Sequence, residues 1–409
     1  MRRGSVCFHT SPSGLRMVHL AVPGAAVGYC GVAVRVGSRD EEPGLYGLAH
    51  FVEHTIFKGT AKRRAWHIIN RMEAVGGELN AYTTKEETVV FSAFPKGNLS
   101  RAAELIADLI VNSQFPAREL DKEREVVADE IDSYLDSPSE AVFDDFEDLM
   151  FADSELGHNV LGNREALAKF SSEVCRSYLK KWYVPQNMVV FYAGSLSPDS
   201  VFALLERCFA SVCGSVPGSE RVKPKSVQPF ERWKEIDSHQ CHTIVGAPIG
   251  SMTSPDQYAT SLLVNLLGGP GMNSLLNVAL RERRGLVYSV DATTGVYSDC
   301  GALAIYYGCD PDDNSRCRRL VADTIASVAE GYLTPRRLEL AKKQYLGQLV
   351  IAGENIENRI LSFARQYLFM GHVITRSEML QSIQDITPSQ IASLASTLSL
   401  SSLTLGPRK

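Results

Sequence analysis

The chain has 409 residues, 44% hydrophobic and 22% charged, with 42 basic against 47 acidic side chains and a formal net charge of −5. That balance argues against a general nucleic-acid binder, which carries a basic excess, and no stretch approaches the ~20 apolar residues of a membrane span. At roughly 150 residues per domain the length suits two or three domains, and 31 Gly with 18 Pro exclude collagen-like and low-complexity readings. Arg2 and Arg3 are not followed by the apolar core of a signal peptide, and the start is too short for a mitochondrial transit peptide. The nine cysteines are odd in number and form no CxxC pair, so a reduced, cytoplasmic protein without a disulfide framework or cysteine zinc site is expected.

In chain order, residues 26–36 alternate as a strand and Leu45 to Phe57 reads as a helix. Gly76 to Thr83 (GGELNAYT) reads as a turn and the start of a strand. Thr88 to Phe94 is a strand, Ser100 to Val111 an amphipathic helix, and Pro116 opens a helix to about Leu135. Phe143, Phe146, Leu149 and Met150 sit at helical spacing and read as core. Gly214 to Pro229 is the densest Pro/Gly/Ser/Lys stretch and reads as a linker. The second half repeats the order: a strand at 242–249, a helix at 257–267, a strand at 302–307, a helix at 315–329, and a helix opened by Pro335 through Leu349. Leu280 to Tyr288 reads as a helix C-terminus with Gly285 as its cap. The expectation is an α+β fold of two homologous domains, each a mostly antiparallel sheet packed with helices. The expected divisions are 1–217, a linker at 218–229, and 230–409.

The strongest chemical signal is His50-Phe51-Val52-Glu53-His54, inside an apolar helix. Two His at i and i+4 project from one helix face and can grip one ion; zinc takes imidazole nitrogen at ~2.0–2.1 Å. Glu53 lies near the same face and can accept a proton from zinc-bound water without being a ligand. The order HxxEH inverts the HExxH helix of zinc peptidases. A catalytic zinc needs a third protein ligand. The helix after Pro116 offers two carboxylates, Glu123 and Glu130, on a stripe that also carries Leu120, Val127, Ile131 and Tyr134. Spacing alone leaves open which of them is a ligand, or whether a rotated helix puts both in water. Aligning Pro116 with Pro335 sets Lys342 opposite Glu123 and Leu349 opposite Glu130, and the second half has no HxxEH, so one half carries chemistry and the other only the fold.

These residues resemble the inverzincin, or pitrilysin-type, zinc metallopeptidases, the family of mitochondrial processing peptidase and insulin-degrading enzyme. The resemblance covers most of the chain, and Glu123 to Ile131 (EREVVADEI) is similar to the family's ERxxVxxE segment. It implies one zinc ion per chain held by His50, His54 and Glu130, with Glu53 as general base and Glu123 orienting a ligand His. It also implies that Gly76 to Thr83, including Asn80 and Ala81, is an edge strand that pairs with extended substrate. LRERRGLVY, at 280–288, is similar to the family's LRExxGLxY segment, whose Arg and Tyr, here Arg281 and Tyr288, reach substrate. The chain departs from the family in having Ser274-Leu275 where Ser-Arg is common.

The length near 400 implies the short, processing-peptidase-like subfamily, in which two chains pair into a hollow clamshell, so a homodimer is implied. The implied function is a zinc endopeptidase acting on peptides or unfolded segments in an enclosed chamber, the alternative being a non-catalytic scaffold or partner subunit of the same fold. His158, in ELGHNVLG, resembles a family loop and is assigned no chemistry. Residues 239 and 242 of HQCH fall on opposite faces of the expected strand, which argues against a second metal site. The acidic residues between Glu119 and Glu155 read as the solvated side of helices.

Overall fold

A computed structural model describes residues 5–215, 221–225 and 227–408. The expected domain end at 217, linker positions 218–220 and 226, and Arg2 and Arg3 lie outside the described residues. The strands are β1 (Val6–Thr10), β2 (Arg16–Ala21), β3 (Val27–Val34), β4 (Glu78–Thr83), β5 (Thr88–Pro95), β6 (Met188–Gly194), β7 (Glu231–Glu235), β8 (Cys241–Ile249), β9 (Val287–Val296), β10 (Gly301–Cys309) and β11 (Ser401–Gly406). The helices of the first half are α1 (Leu48–Thr55), α2 (Ala65–Glu73), α3 (Leu99–Asn112), α4 (Ala117–Leu135), α5 (Pro138–Met150), α6 (Arg164–Leu167), α7 (Ser172–Trp182) and α8 (Pro198–Cys208). Those of the second are α9 (Gln257–Gly268), α10 (Asn314–Ala329), α11 (Pro335–Ala352), α12 (Ile356–Met370), α13 (Arg376–Gln384) and α14 (Pro388–Thr397). A helix of wider turns spans Asn277–Glu282.

The chain forms two compact units, each an α+β layer structure on one sheet. The first has the strand order β1-β2-β6-β3-β5-β4, antiparallel except for β2 beside β6. β6 (MVVFYAG) is buried at every position, as expected of a strand covered on both faces. On one face Val32, Val90 and Val190 meet Phe51 of α1, Leu105 of α3 and Leu179 of α7. On the other, Val89, Val189 and Phe191 meet Ile360, Ala364 and Leu368 of α12.

The second unit has the order β7-β11-β8-β10-β9, parallel only between β7 and β11. Val245, Leu303 and Ile305 pack with Leu262 of α9, Val321 of α10 and Ile391 of α14. The opposite face, with Ile244, Ala302 and Leu403, is covered by Val142, Phe146 and Met150 of α5.

The units are therefore not the plain halves 1–217 and 230–409. Residues 133–157, which carry α5, belong to the second unit, and 353–373, which carry α12, belong to the first. Each sheet has an apolar second face that must leave water, and in both units the covering helix comes from the other half of the sequence.

α1 is short and anchored at both ends. It starts at Gly47, whose φ of 97° lies in the left-handed region that glycine adopts without strain. Beyond its C-terminus, Ile56–Lys58 forms one 3-10 turn, and the following loop is clasped by Asp108 of α3. Asp108 accepts hydrogen bonds from Thr60 Oγ1 (2.8 Å), Arg63 Nη1 (2.5 Å) and Asn112 Nδ2 (2.8 Å). Burial alone would raise this carboxyl, but bonds from Asn112, Thr60 and Arg63 outweigh it and hold Asp108 below the ordinary Asp range. A carboxyl depressed in the native state stabilises above its unfolded value, ~3.9, and loses that contribution as pH falls through the native one. Asp108→Asn is expected to lower the urea midpoint at pH 7 by the equivalent of about 1–3 kcal/mol. The gap from wild type should narrow below pH ~4; paired urea titrations at the two pH values check both parts.

Candidate metal centre

His50 and His54 stand one helical turn apart on α1, ring centroids 4.4 Å apart and edge-on at 63°. The neighbours on the other side of the turn, Leu48, Ala49, Phe51 and Val52, are buried and fix which way the helix faces. α4 brings Glu123 and Glu130, two turns apart, to the same place. His50 Nε2 is 3.8 Å and His54 Nε2 3.6 Å from Glu130 Oε2. One ligand atom from each of His50, His54 and Glu130 lies within 4.8 Å of the others, and among the described residues this is the one such group.

The second carboxylate takes a different place. Glu123 Oε1 accepts a hydrogen bond from His54 Nδ1 at 3.1 Å, and Glu123 Oε2 accepts one from Lys58 Nζ at 2.7 Å. A carboxylate accepts only, so Nδ1 of His54 carries a proton and Nε2 is the ring nitrogen that faces Glu130. This is the arrangement in which an outer carboxylate fixes the tautomer and orientation of a ligating His. Lys58 is absent from the sequence reading. Its signal was available, since it lies four residues beyond His54 and continues that side of the helix into the 3-10 turn.

The charges around these groups are uneven. Burial and the neighbouring His54 push the His50 imidazole down to about 3, so His50 is neutral across the physiological range. Burial also opposes a charged His54, but Glu123, Glu53 and Glu130 outweigh it and hold His54 above the ordinary value. Glu123 is pushed up by burial, yet the bonds from His54 and Lys58 prevail and keep it ionised below its ordinary range. Burial raises Glu53, with His54 opposing.

Zinc fits this donor set. Glu130 Oε2 is shielded from solvent and has no hydrogen-bond partner, although the side chain as a whole is 42% exposed. A buried carboxylate oxygen left without a donor is costly. Ligand atoms bonded to one tetrahedral ion at ~2.0–2.1 Å sit roughly 3.4 Å apart, near the two separations seen. Two imidazole nitrogens and a carboxylate are also the ligand types and number of a catalytic zinc site.

The other expected site residues divide between the units. β4 is the outermost strand of the first sheet, with Asn80 opposite Phe91 and Ala81 opposite Val90 of β5. Asn80 is exposed and Ala81 half-buried. α1 packs against β4, so the edge lies beside the histidine helix. Arg281 and Tyr288 belong to the second unit. They are brought together there, the guanidinium 5.9 Å from the Tyr288 ring centroid, and Tyr288 is 88% exposed at the start of β9, the outermost strand of that sheet. Gly285 has the left-handed φ of 61° expected of the cap. His242 Nδ1 is 2.9 Å from the Tyr306 hydroxyl rather than in a metal group.

Two family models match, "Insulinase (Peptidase family M16)" over residues 16–164 and "Peptidase M16 inactive domain" over residues 169–345. An uncharacterized zinc protease of Mycobacterium leprae is 32% identical over 403 residues, 97% of this chain and 90% of the relative. The chain belongs to peptidase family M16. Another M16 relative, an uncharacterized zinc protease of Bacillus subtilis, is 30% identical over 95% of each chain. The crystal structure of a protease from Helicobacter pylori shares the M16 fold with a TM-score of 0.92 over 99% of this chain and 100% of that one, at 22% identity. The histidine helix lies inside the first model and Arg281 and Tyr288 inside the second, described as inactive.

Glu123→Gln replaces a full charge on His54 with an amide oxygen. It is expected to weaken zinc binding about tenfold, read by competition with a chromophoric chelator.

Proposed function

We propose that this chain is a zinc-dependent endopeptidase in which His50, His54 and Glu130 hold one metal ion, Glu53 is the general base and Glu123 orients His54. The observation that carries the reading is the convergence of two imidazole nitrogens on the unpartnered Glu130 Oε2. Zinc, when bound, supplies the Lewis acidity that polarises a scissile carbonyl and activates water. Glu53, half-buried and raised by desolvation, takes the proton of the attacking water on its carboxylate and returns it to the leaving amine. Its raised affinity for a proton suits both transfers better than an ordinary surface carboxylate would.

The exposed edge of β4 offers backbone donors and acceptors to an extended peptide. Strand addition of this kind binds main chain and tolerates varied side chains, which favours peptides or unfolded segments as substrates, with Asn80 and Ala81 in the contact. In this reading Arg281 and Tyr288 also bind substrate. Pairing of two copies into an enclosed chamber and a cytoplasmic location belong to the same proposal. None of the nine cysteines is joined in a disulfide, which suits a reduced compartment. No described helix is long and apolar enough to cross a membrane.

A second reading, a non-catalytic partner subunit, is left open by the match of 169–345 to an inactive domain. One substitution separates the two. Glu53→Gln is expected to retain zinc at wild-type stoichiometry while peptide cleavage falls by about 10²–10⁴-fold, measured by metal analysis beside a mass-spectrometric peptide-library digest. Equal cleavage by wild type and variant removes Glu53 from the base role, and a wild type that binds zinc without cleaving any peptide supports the partner subunit.

A further inference from the structure

α1 lacks a cap of its own: Gly47 contributes no side-chain hydrogen bond, and the first turn holds no acidic residue. Helix N-termini leave backbone N–H groups unsatisfied, and here they are met from outside the helix. Glu41 Oε2 accepts from Gly47 N at 2.8 Å and Glu41 Oε1 from Ala49 N at 2.7 Å. Ala49 immediately precedes His50. The Glu41 side chain is fully buried, 0% exposed, where a lone charge is expensive unless it is paired and hydrogen-bonded.

The remaining partner is His158, whose Nε2 is 3.2 Å from Glu41 Oε2. His158 is itself held by stacking on Tyr46, centroids 4.0 Å apart at 25°. Its loop is clamped against the same place. A Cβ on Gly162 would lie 2.0 Å from the Tyr46 carbonyl oxygen, and one on Gly47 2.5 Å from that of Leu161, so the two backbone segments touch through glycines. His158 is also where the chain returns to the first unit. The adjacent acid, Asp40, is gripped by Arg221, the last residue of that unit's middle segment, through bonds of 2.9 and 2.8 Å.

We infer that Glu41, held by His158, is a positioning residue that sets the axial height and rotation of α1 and thereby aims His50 and His54 at Glu130 on α4. The inference rests on the zinc-peptidase reading. An eight-residue helix that must present two ligands to a carboxylate on another helix tolerates little slack. A misplacement of about 1 Å at such a site costs on the order of 10²-fold in rate. The cap acts on the peptide unit beside the first ligand, and the hydrogen bonds of Glu41 run to Gly47 N, Ala49 N and His158 rather than to the three ligand side chains, so the effect travels through the helix.

The test uses the full chain in four forms: wild type, Glu41→Gln, His158→Leu and His158→Gln. Gln at 41 puts an NH₂ where only acceptors fit. His158→Leu leaves Glu41 its two backbone donors but removes its side-chain partner, and His158→Gln restores an N–H. Thermal melts establish that each is folded at the assay temperature, and His158→Leu carries the test if Glu41→Gln does not fold. Zinc affinity is read by chelator competition, ligand geometry by the visible absorption of the cobalt(II)-loaded chain, and turnover by kcat and KM on a cleaved peptide.

Glu41→Gln and His158→Leu are expected to weaken zinc binding about tenfold, alter the cobalt spectrum, and lower kcat with KM little changed. His158→Gln should recover most of the loss. Folded variants whose zinc affinity and cobalt spectrum match wild type, while wild type binds zinc and cleaves, overturn this inference and leave the peptidase reading standing. A wild type that binds no zinc overturns both.

Discussion

The structure turns on a buried oxygen with nothing to bond to. Glu130 Oε2 has no hydrogen-bond donor, yet lies 3.6 and 3.8 Å from two imidazole nitrogens. His50 is held neutral by burial, so the positive charge the histidine helix offers that oxygen comes from His54 alone, which its carboxylate neighbours hold above the ordinary value. Glu53, Glu123 and Glu130 all act on His54, and Lys58 answers Glu123. A divalent cation held at the focus would balance these carboxylates. The rest of the unit holds α1 against α4: the Asp108 clasp beyond one end of α1, the Glu41 cap at the other, and the sheet beneath.

The two halves show what chemistry adds to this fold. Both end their long helix in a helix given to the other unit, α4 followed by α5 and α11 followed by α12. The position matching Glu123 is Lys342, buried but with Nζ donating to the Gln384 carbonyl at 2.7 Å and lying 3.1 Å from Glu339. The second half therefore keeps a buried charge there and satisfies it within the protein. In the first half the match to Leu349 is a carboxylate whose buried oxygen the protein leaves open. Burial of polar groups is common to both; among the described residues only the first half groups three side chains that could hold a metal ion.

Much of this was readable in the sequence because it is local. The HxxEH spacing fixes a helix face, and on the α4 stripe Leu120, Glu123, Val127 and Ile131 are buried as the period requires, with Glu130 and Tyr134 half-buried. Expected and observed limits agree within a few residues for β5, α3, α9 and α10. α1 is shorter than the expected 45–57 because Gly47 starts it in a left-handed turn and the chain tightens into a 3-10 turn after Thr55. The exchange of α5 and α12 was not readable. Phe146 and Met150 announce an apolar face, but periodicity does not say which sheet that face covers. The Glu41 cap was hidden for the same reason: its donors are backbone amides six and eight residues away and its partner His158 is 117 residues on. Spacing alone left the roles of Glu123 and Glu130 open, since both share one helical face; the family resemblance assigned them, and the structure adds that Glu123 bonds His54 Nδ1 while Glu130 faces both Nε2 atoms.

The most direct measurement of the central claim is a crystal structure of the chain grown with zinc, with diffraction recorded on both sides of the zinc absorption edge. The account predicts one strong anomalous peak per chain, within ~2.0–2.2 Å of His50 Nε2, His54 Nε2 and a Glu130 oxygen, with Glu123 bonded to His54 but not to the ion. A zinc-saturated crystal with no peak among these three side chains, or with the peak elsewhere, contradicts it.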